Sequence, residues 1–533
     1  MGNLKLKDLY VGKTDGYNEF LEYGQDVCRE LFFEYPNFDV QKILDGSVYY
    51  ICGDKGTGKT MLLKYVESVV ADNPHSVFSQ FIRFKKDVDE DQRNQIKRAG
   101  LPQAPFEEII ESEIPTDYTI DCILAWQVYL IKVIVNRLKP TEKGVFDRTS
   151  AEWEKLCALL NAVYDDPDNG DFVKKILPRI KKGNVEINVA KIGKLNLELE
   201  WADVSKNTVP FVSVAKRIVD LYSHLQPQDN SIYVFIDELE LSLKQTKKYV
   251  RDIALIRDLI FAVQYMNEIS KLNGYNVFFV TAIRNEVYQN VKSKGLEINK
   301  PIHDFGVQIN WQQKGGDIRT HPLLKMLERR FQYSEKAQGL PPSADVYNEY
   351  FLKTVGRAEV PIHNYILDQT WLRPRDIIRL FSIIQSVSGD QTFIDQKTFE
   401  IVKQRYSEES WVEFEEILTV KYSDKEVEGI KLALTGLQVP FTVADFSAKI
   451  DGKADTFEEV EFLKSKGKKA SHILRDLYDI GVIGNYGDLP RFTFKGDKDI
   501  DPTLPLTFHY PLLRFFKASI KHRDREKKLE VYT

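Results

Sequence analysis

Gly53-Asp54-Lys55-Gly56-Thr57-Gly58-Lys59-Thr60 constrains this chain more than any other segment. It follows the apolar run Val48-Tyr49-Tyr50-Ile51-Cys52 and leads into a helical stretch from Met61 to Val70. Strand, glycine-rich turn and helix in that order form a phosphate-binding loop, the Walker A pattern. Three glycines let the backbone curl until successive N–H groups point inward at an anion, and the N-terminus of the following helix favours the same charge. Lys59 then reaches the β and γ phosphates, and the Thr60 hydroxyl is placed to hold Mg²⁺. Gly53, Asp54, Lys55, Gly56, Thr57, Gly58, Lys59, Thr60 and Met61 are the candidate nucleotide contacts, with ATP and Mg²⁺ as the implied ligands. The spacing requires an α/β core, a parallel sheet with flanking helices.

Phosphate binding alone does not hydrolyse anything; an acidic centre is needed, and Ser231-Ile232-Tyr233-Val234-Phe235-Ile236-Asp237-Glu238 supplies one. Five consecutive apolar residues suit a parallel strand buried on both faces, and the acids fall at its carboxyl end, where ligands gather in open α/β sheets. Asp237 is assigned to Mg²⁺ and Glu238 to polarising the attacking water as general base. Glu240 is read as structural. A helix over Lys247 to Leu272 leads to a third strand, Asn276 to Arg284, expected to end in a polar pair. Thr281 there is a candidate for orienting the lytic water. Arg284 either touches the γ-phosphate or pairs with a surface acid. A second strand is expected over Val77 to Phe84 and a further one over Phe305 to Trp311.

Composition sets the frame. The chain has 533 residues, 43% of them hydrophobic, enough for several domains. The formal charge of −5 gives no global reason to expect nucleic acid. Cys28, Cys52, Cys122 and Cys157 lie in apolar contexts without a CxxC pair, so they read as reduced core residues. No apolar stretch approaches the ~20 residues of a bilayer span, and Met1-Gly2-Asn3-Leu4-Lys5 lacks the apolar core of a signal peptide. The expected location is the cytoplasm, without a membrane partner.

The order of phosphate loop, Asp-Glu strand, polar strand and then helices resembles the AAA+ and STAND branch of P-loop ATPases. Thr370-Trp371-Leu372-Arg373-Pro374-Arg375-Asp376 is similar to the RPRD helix start of bacterial STAND-like ATPases found near antiphage defence genes. Leu9-Tyr10-Val11-Gly12-Lys13 with Glu19 is similar to the segment that lies by the adenine in this branch, with Lys13 in place of the usual Arg. The resemblance implies a switch ATPase, a homo-oligomer and a separate effector protein. It makes Gly12 a nucleotide contact and makes Arg373 and Arg375 lid groups for the γ-phosphate, the alternative being plain helix-start residues. Leu327-Glu328-Arg329-Arg330-Phe331 resembles the box that carries an arginine into a neighbouring subunit's site. Arg329 and Arg330 act there, or they pair with acids on a solvated helix.

The organisation expected from these elements is a core over 1–84 and 226–312, an insertion over 85–225, a helical lid over 313–425 and a winged-helix-like domain over 426–533. In the insertion, Lys85 to Asp91 reads as a solvated charged loop and Tyr118 to Leu138 as a buried helix. Val185, Ile187 and Val189 alternate, Lys191 to Lys194 turn, and Leu195, Leu197, Leu199 and Trp201 alternate back as a hairpin. Helical periodicity continues from Gln396 to Leu434. Beyond it, a recognition helix begins at Ala470 and ends at Gly481, Val482-Ile483 starts the wing, and wing strands are read at Arg491-Phe492-Thr493-Phe494 and Leu506 to Tyr510. Lys464, Lys466, Lys468, Lys469, Arg475, Lys517, Lys521, Arg523, Arg525, Lys527 and Lys528 make that end basic. A DNA-binding, initiator-like or loader-like ATPase is therefore the rival reading. His509 reads as a packing residue.

Overall fold

The computed structural model describes residues 4–35, 38–99, 122–138, 144–164, 178, 180–181, 184–188, 207–240, 247–292, 298–313, 315–487, 489–497, 499–517 and 519–520. In chain order, the elements used below are α1 (Gly16–Leu31), β1 (Tyr50–Gly53), α2 (Lys59–Ala71), β2 (Ser76–Arg83), β3 (Ser231–Asp237), α3 (Lys247–Leu272), β4 (Val277–Arg284) and β5 (Gly306–Gln308). They continue with α4 (Pro322–Ala337), α5 (Pro374–Ser388), α6 (Gln396–Leu418), α7 (Ala470–Asp479), β6 (Ile483–Asn485) and β7 (Leu506–Phe508). The chain divides into two compact units. One comprises Asp39–Lys55 and Leu63–Ile309; the other comprises Met1–Phe38, Gly56–Leu62 and Asn310–Thr533.

The first unit is built on a five-stranded parallel sheet in the order β2-β3-β4-β1-β5. Every residue of β3 is buried, as its unbroken apolar run requires of a strand covered on both faces. Register places Asp237 beside Arg83 and Ile236 beside Thr281, while Gly53 lies beside Arg284. β1 has later strands on both sides, so chain direction across the sheet reverses next to it. In open α/β sheets that reversal opens a crevice at the carboxyl edge. α3 packs on β4, and Asn267 exchanges two hydrogen bonds with the Phe279 backbone at 2.9 and 3.0 Å.

Several local expectations change. Lys85 to Asp91 is not a loop: Phe84–Asp87 and Glu90–Ala99 are helical. Asp89 and Gln92 exchange side-chain and backbone bonds at 2.8 Å, a reciprocal cap that starts the second helix. The strand expected over Phe305 to Trp311 is only Gly306–Gln308, because Phe305 ends a helix and the chain leaves the sheet beyond Ile309. Ile123–Leu138 is helical and mostly buried, Gln127 and Lys132 included; residues 118–121 lie outside the described residues. Asn184–Glu186 pairs on one side with Ile180–Lys181 and on the other with Thr208–Pro210. The returning arm of the expected hairpin, 195–201, lies outside the described residues. Among the described residues the four cysteines form no disulfide; three are buried and Cys157 is half-buried.

The second unit is mainly helical. Gln396 to Leu434 is two helices rather than one, α6 and Asp424–Leu434, the second opened by a Ser423–Glu426 capping box. Ile483 pairs with Phe508 where β6 and β7 run antiparallel. Arg491 to Phe494 is not a strand: Thr493–Lys495 is a single 3₁₀ turn, with the Thr493 hydroxyl on Tyr478 O at 2.5 Å and Gly496 closing it at φ +101°. His509 follows β7 and is buried among the rings of Trp371, Phe492 and Phe494. No helix among the described residues is long and apolar enough to cross a membrane.

His321 caps α4 with Nδ1, which accepts from Leu323 N at 3.3 Å, and Pro322 takes the first helical position. Burial pushes this imidazole down to about 4, outweighing a hydrogen bond to the Trp311 backbone. The unfolded chain therefore takes up a proton near pH 6.5 that the folded chain refuses until about pH 4, so stability falls as pH drops through that window. Urea midpoints between pH 7 and 5 should decline less in His321→Asn, which keeps a cap acceptor that does not titrate.

Candidate functional site

β1 ends at Gly53, and α2 begins at Lys59. Gly56 and Gly58 have φ of +88° and +93°, a region that L side chains rarely adopt, so the loop needs glycine at both positions. A Cβ on Gly56 would also meet Arg375 Cβ at 3.1 Å and Arg373 Cδ at 3.7 Å. A Cβ on Gly58 would lie 2.8 Å from the Tyr35 hydroxyl oxygen. Thr57 and Lys59 are buried, Thr60 and Met61 half-buried.

At the carboxyl edge of the sheet, Asp237 is the last residue of β3 and is buried. Its Oδ1 accepts from the Glu238 N–H at 2.8 Å. Glu238 has φ +57°, sparsely populated for a non-glycine residue and of a kind that clusters at functional sites. Arg284 pairs with Glu240 at 2.6 Å and approaches Glu286 at 3.9 Å, while Lys85 holds Glu240 at 2.7 Å. Burial opposes the Arg284 charge, but Glu240 first, then Glu286, Asp237 and Glu238, keep it above the ordinary guanidinium value. Burial likewise works to raise the Glu240 carboxyl, and Arg284 with Lys85 brings it below the usual range instead.

Thr281 is not at a strand end. β4 runs three residues further, so Thr281 is paired with Tyr50 on one side and Ile236 on the other, fully buried, and its hydroxyl has no hydrogen-bond partner among the described residues. The residue that does stand at that edge is Asn285, whose Nδ2 donates to Asp54 Oδ1 at 2.6 Å. Its signal in the sequence was being the first amide side chain after the apolar strand.

The helix start around Pro374 forms as its residues dictate. Arg373 is extended, as a residue before proline must be, and Pro374 opens α5. Three arginines and two carboxylates interlock there. Asp376 accepts from Arg373 at 2.8 and 3.1 Å and from Arg379 at 3.3 Å; Glu413 accepts from Arg375 at 3.1 Å and also from Arg379. Arg375 N donates to Gly56 O at 3.4 Å, and its Nε donates to Thr14 O at 2.9 Å. Arg375 is the more exposed of the pair flanking Pro374, at 22% of its side chain against 8% for Arg373.

Arg330 does not lie on a solvated helix and does not present its guanidinium outward. α4 turns it inward with Leu327 and Phe331. Its Nη2 bonds Glu19 Oε1 at 3.0 Å, and its Nη1 bonds Val11 O. Glu19 also accepts from the Tyr10 hydroxyl at 2.5 Å and the Lys13 N–H at 3.0 Å. Gly12, at φ +92°, makes room: a Cβ there would fall 1.7 Å from Arg330 Nη1. Arg329 is exposed and donates to Phe32 O at 2.9 Å. In the basic end, Lys464 and Lys468 pair with Asp451 and Glu426 at 2.8 Å, while Lys466, Lys469 and Arg475 are exposed. Lys521 to Lys528 lie outside the described residues.

A comparison with curated proteins gave no match. Residues 321–415, from the cap of α4 into the last turns of α6, match the model of a FunZ-associated C-terminal helical domain.

Proposed function

We propose that the chain is a Mg²⁺-dependent ATPase switch of the AAA+ and STAND kind. The observation that carries this is the parallel sheet in which β1 and β3, separated by β4 alone, run to one edge, the first leading into Gly53–Thr60 and the second ending in Asp237-Glu238. The loop fits a polyphosphate: positive φ at Gly56 and Gly58 supports inward N–H groups, and the lysine and threonine follow at the helix start. The Thr60 hydroxyl and Asp237 carboxylate are the residues that would hold Mg²⁺, which would supply positive charge to offset that of the phosphates. Glu238 takes the proton of the attacking water, and Arg284 tempers the negative charge around it.

Arg375, over Gly56, is the lid group assigned to the terminal phosphate; Arg373 serves Asp376 and the turn. The resemblance of the Arg373-Pro374-Arg375-Asp376 start, which lies inside the FunZ-associated match, supports a chain that works beside a separate effector protein in antiphage defence. Mg²⁺-dependent phosphate release tests this assignment. Arg375→Ala should lower kcat/KM about 10- to 100-fold, the scale of one charge-assisted contact. Arg373→Ala should act mainly on the thermal midpoint. Equal turnover in Arg375→Ala and wild type would remove Arg375 from the site.

A further inference from the structure

Two aromatic donors hold the outer side of the loop. Trp311 Nε1 donates to Thr57 O at 3.0 Å. The Tyr35 hydroxyl lies 3.1 Å from Gly58 O and 3.3 Å from Thr57 O, and with a single proton to give, it serves the nearer carbonyl while the indole serves the other. Both side chains are buried, and their ring centroids are 4.8 Å apart. Trp311 is itself held, since the His321 ring hydrogen-bonds its backbone and the next residue, Gln312, donates to Phe494 O at 2.7 Å.

A trans peptide is planar, with its carbonyl and the following N–H pointing in opposite directions. Fixing the Thr57 carbonyl on Trp311 therefore fixes the Gly58 N–H away from Trp311, and fixing the Gly58 carbonyl on Tyr35 does the same for the Lys59 N–H. The Gly58 carbonyl also accepts from Leu62 N at 2.9 Å, so α2 and Tyr35 hold the 58–59 peptide together; glycine at 56 and 58 would otherwise let the 57–58 peptide turn over at little steric cost, and a turned peptide aims a carbonyl oxygen at the anion. We propose that Trp311 and Tyr35 are positioning residues that hold the 57–58 and 58–59 peptides with their N–H groups facing the bound phosphates. This rests on reading Gly53–Thr60 as a phosphate-binding loop. Burial pushes the Tyr35 phenol well above its ordinary value, so it stays a donor at working pH.

Calorimetric titration with Mg-ADP, which needs no turnover, tests the clamp on Tyr35→Phe and Trp311→Phe. Each removes one donor and leaves a ring. Each is expected to weaken binding about tenfold, as for loss of a hydrogen bond to a buried carbonyl, while circular dichroism remains that of the wild type. A merely structural role would lower the unfolding midpoint and leave the dissociation constant of the folded protein unchanged. Should Trp311→Phe fail to fold, Tyr35→Phe, which loses a single oxygen atom, decides alone. Wild-type affinity in the folded variants overturns the clamp and leaves the loop assignment standing. No Mg-ADP binding by the wild type overturns that assignment and the clamp with it.

Discussion

Glu238→Gln is expected to cut steady-state ATP turnover by about 10²- to 10⁴-fold, the usual range for a lost general base, while Mg-ATP affinity stays within about twofold. The carboxylate follows directly on β3, its backbone is in the left-handed region, and its N–H is tied to Asp237 Oδ1. The side chain is thereby held at the carboxyl edge by geometry that the amide variant preserves. Asp237→Asn should differ in kind, weakening Mg²⁺ affinity and nucleotide binding together. Glu240 is a poor substitute base because Arg284 and Lys85 both engage it. Rapid-quench measurement of phosphate release separates these effects. Unchanged turnover in Glu238→Gln would place the base outside the Asp237-Glu238 pair.

Arg330→Met is expected to cost roughly 3–5 kcal/mol of stability, the range for removing one partner of a buried ion pair. The pair qualifies: Arg330 and Glu19 side chains are 7% and 3% exposed. Removing the guanidinium strands the Glu19 carboxylate in the interior, where among the described residues the Tyr10 hydroxyl and the Lys13 N–H still serve it. The double variant Glu19→Gln/Arg330→Met should recover a good part of the loss, because the stranded charge goes too. Urea unfolding of the four proteins in the cycle measures the coupling. A further expectation follows from burial in cis: a mixture of Arg330→Met with Lys59→Ala should regain no hydrolysis. Recovery in the mixture would mean that Arg330 leaves Glu19 to complete another subunit's site.

The parallel strands were legible because their signal is local. Val234, Phe235 and Ile236 can only be buried in a covered sheet. The helix start at Pro374 was legible for the same reason, since proline fixes its own dihedral and that of its neighbour. The end of β4 at Arg284 was legible too, but the burial of Thr281 was not: whether its hydroxyl meets the edge depends on register with β1 and β3, which one strand's sequence does not encode. Arg330 looked solvent-facing because charge suggests exposure; only Glu19, more than three hundred positions away, makes its burial tolerable. Tyr35 and Trp311 carried no motif at all. Their role exists only once the fold brings a phenol and an indole against the outward carbonyls of Gly58 and Thr57.

Isothermal titration of Mg-ATP into the wild type and Lys59→Ala bears most directly on whether Gly53–Thr60 holds a nucleotide. The expected result is saturable binding of one nucleotide per chain in the wild type, weakened at least about 10- to 100-fold in Lys59→Ala, since a charge-assisted contact to phosphate is lost. Absence of binding by the folded wild type, or equal affinity in the two proteins, would contradict it.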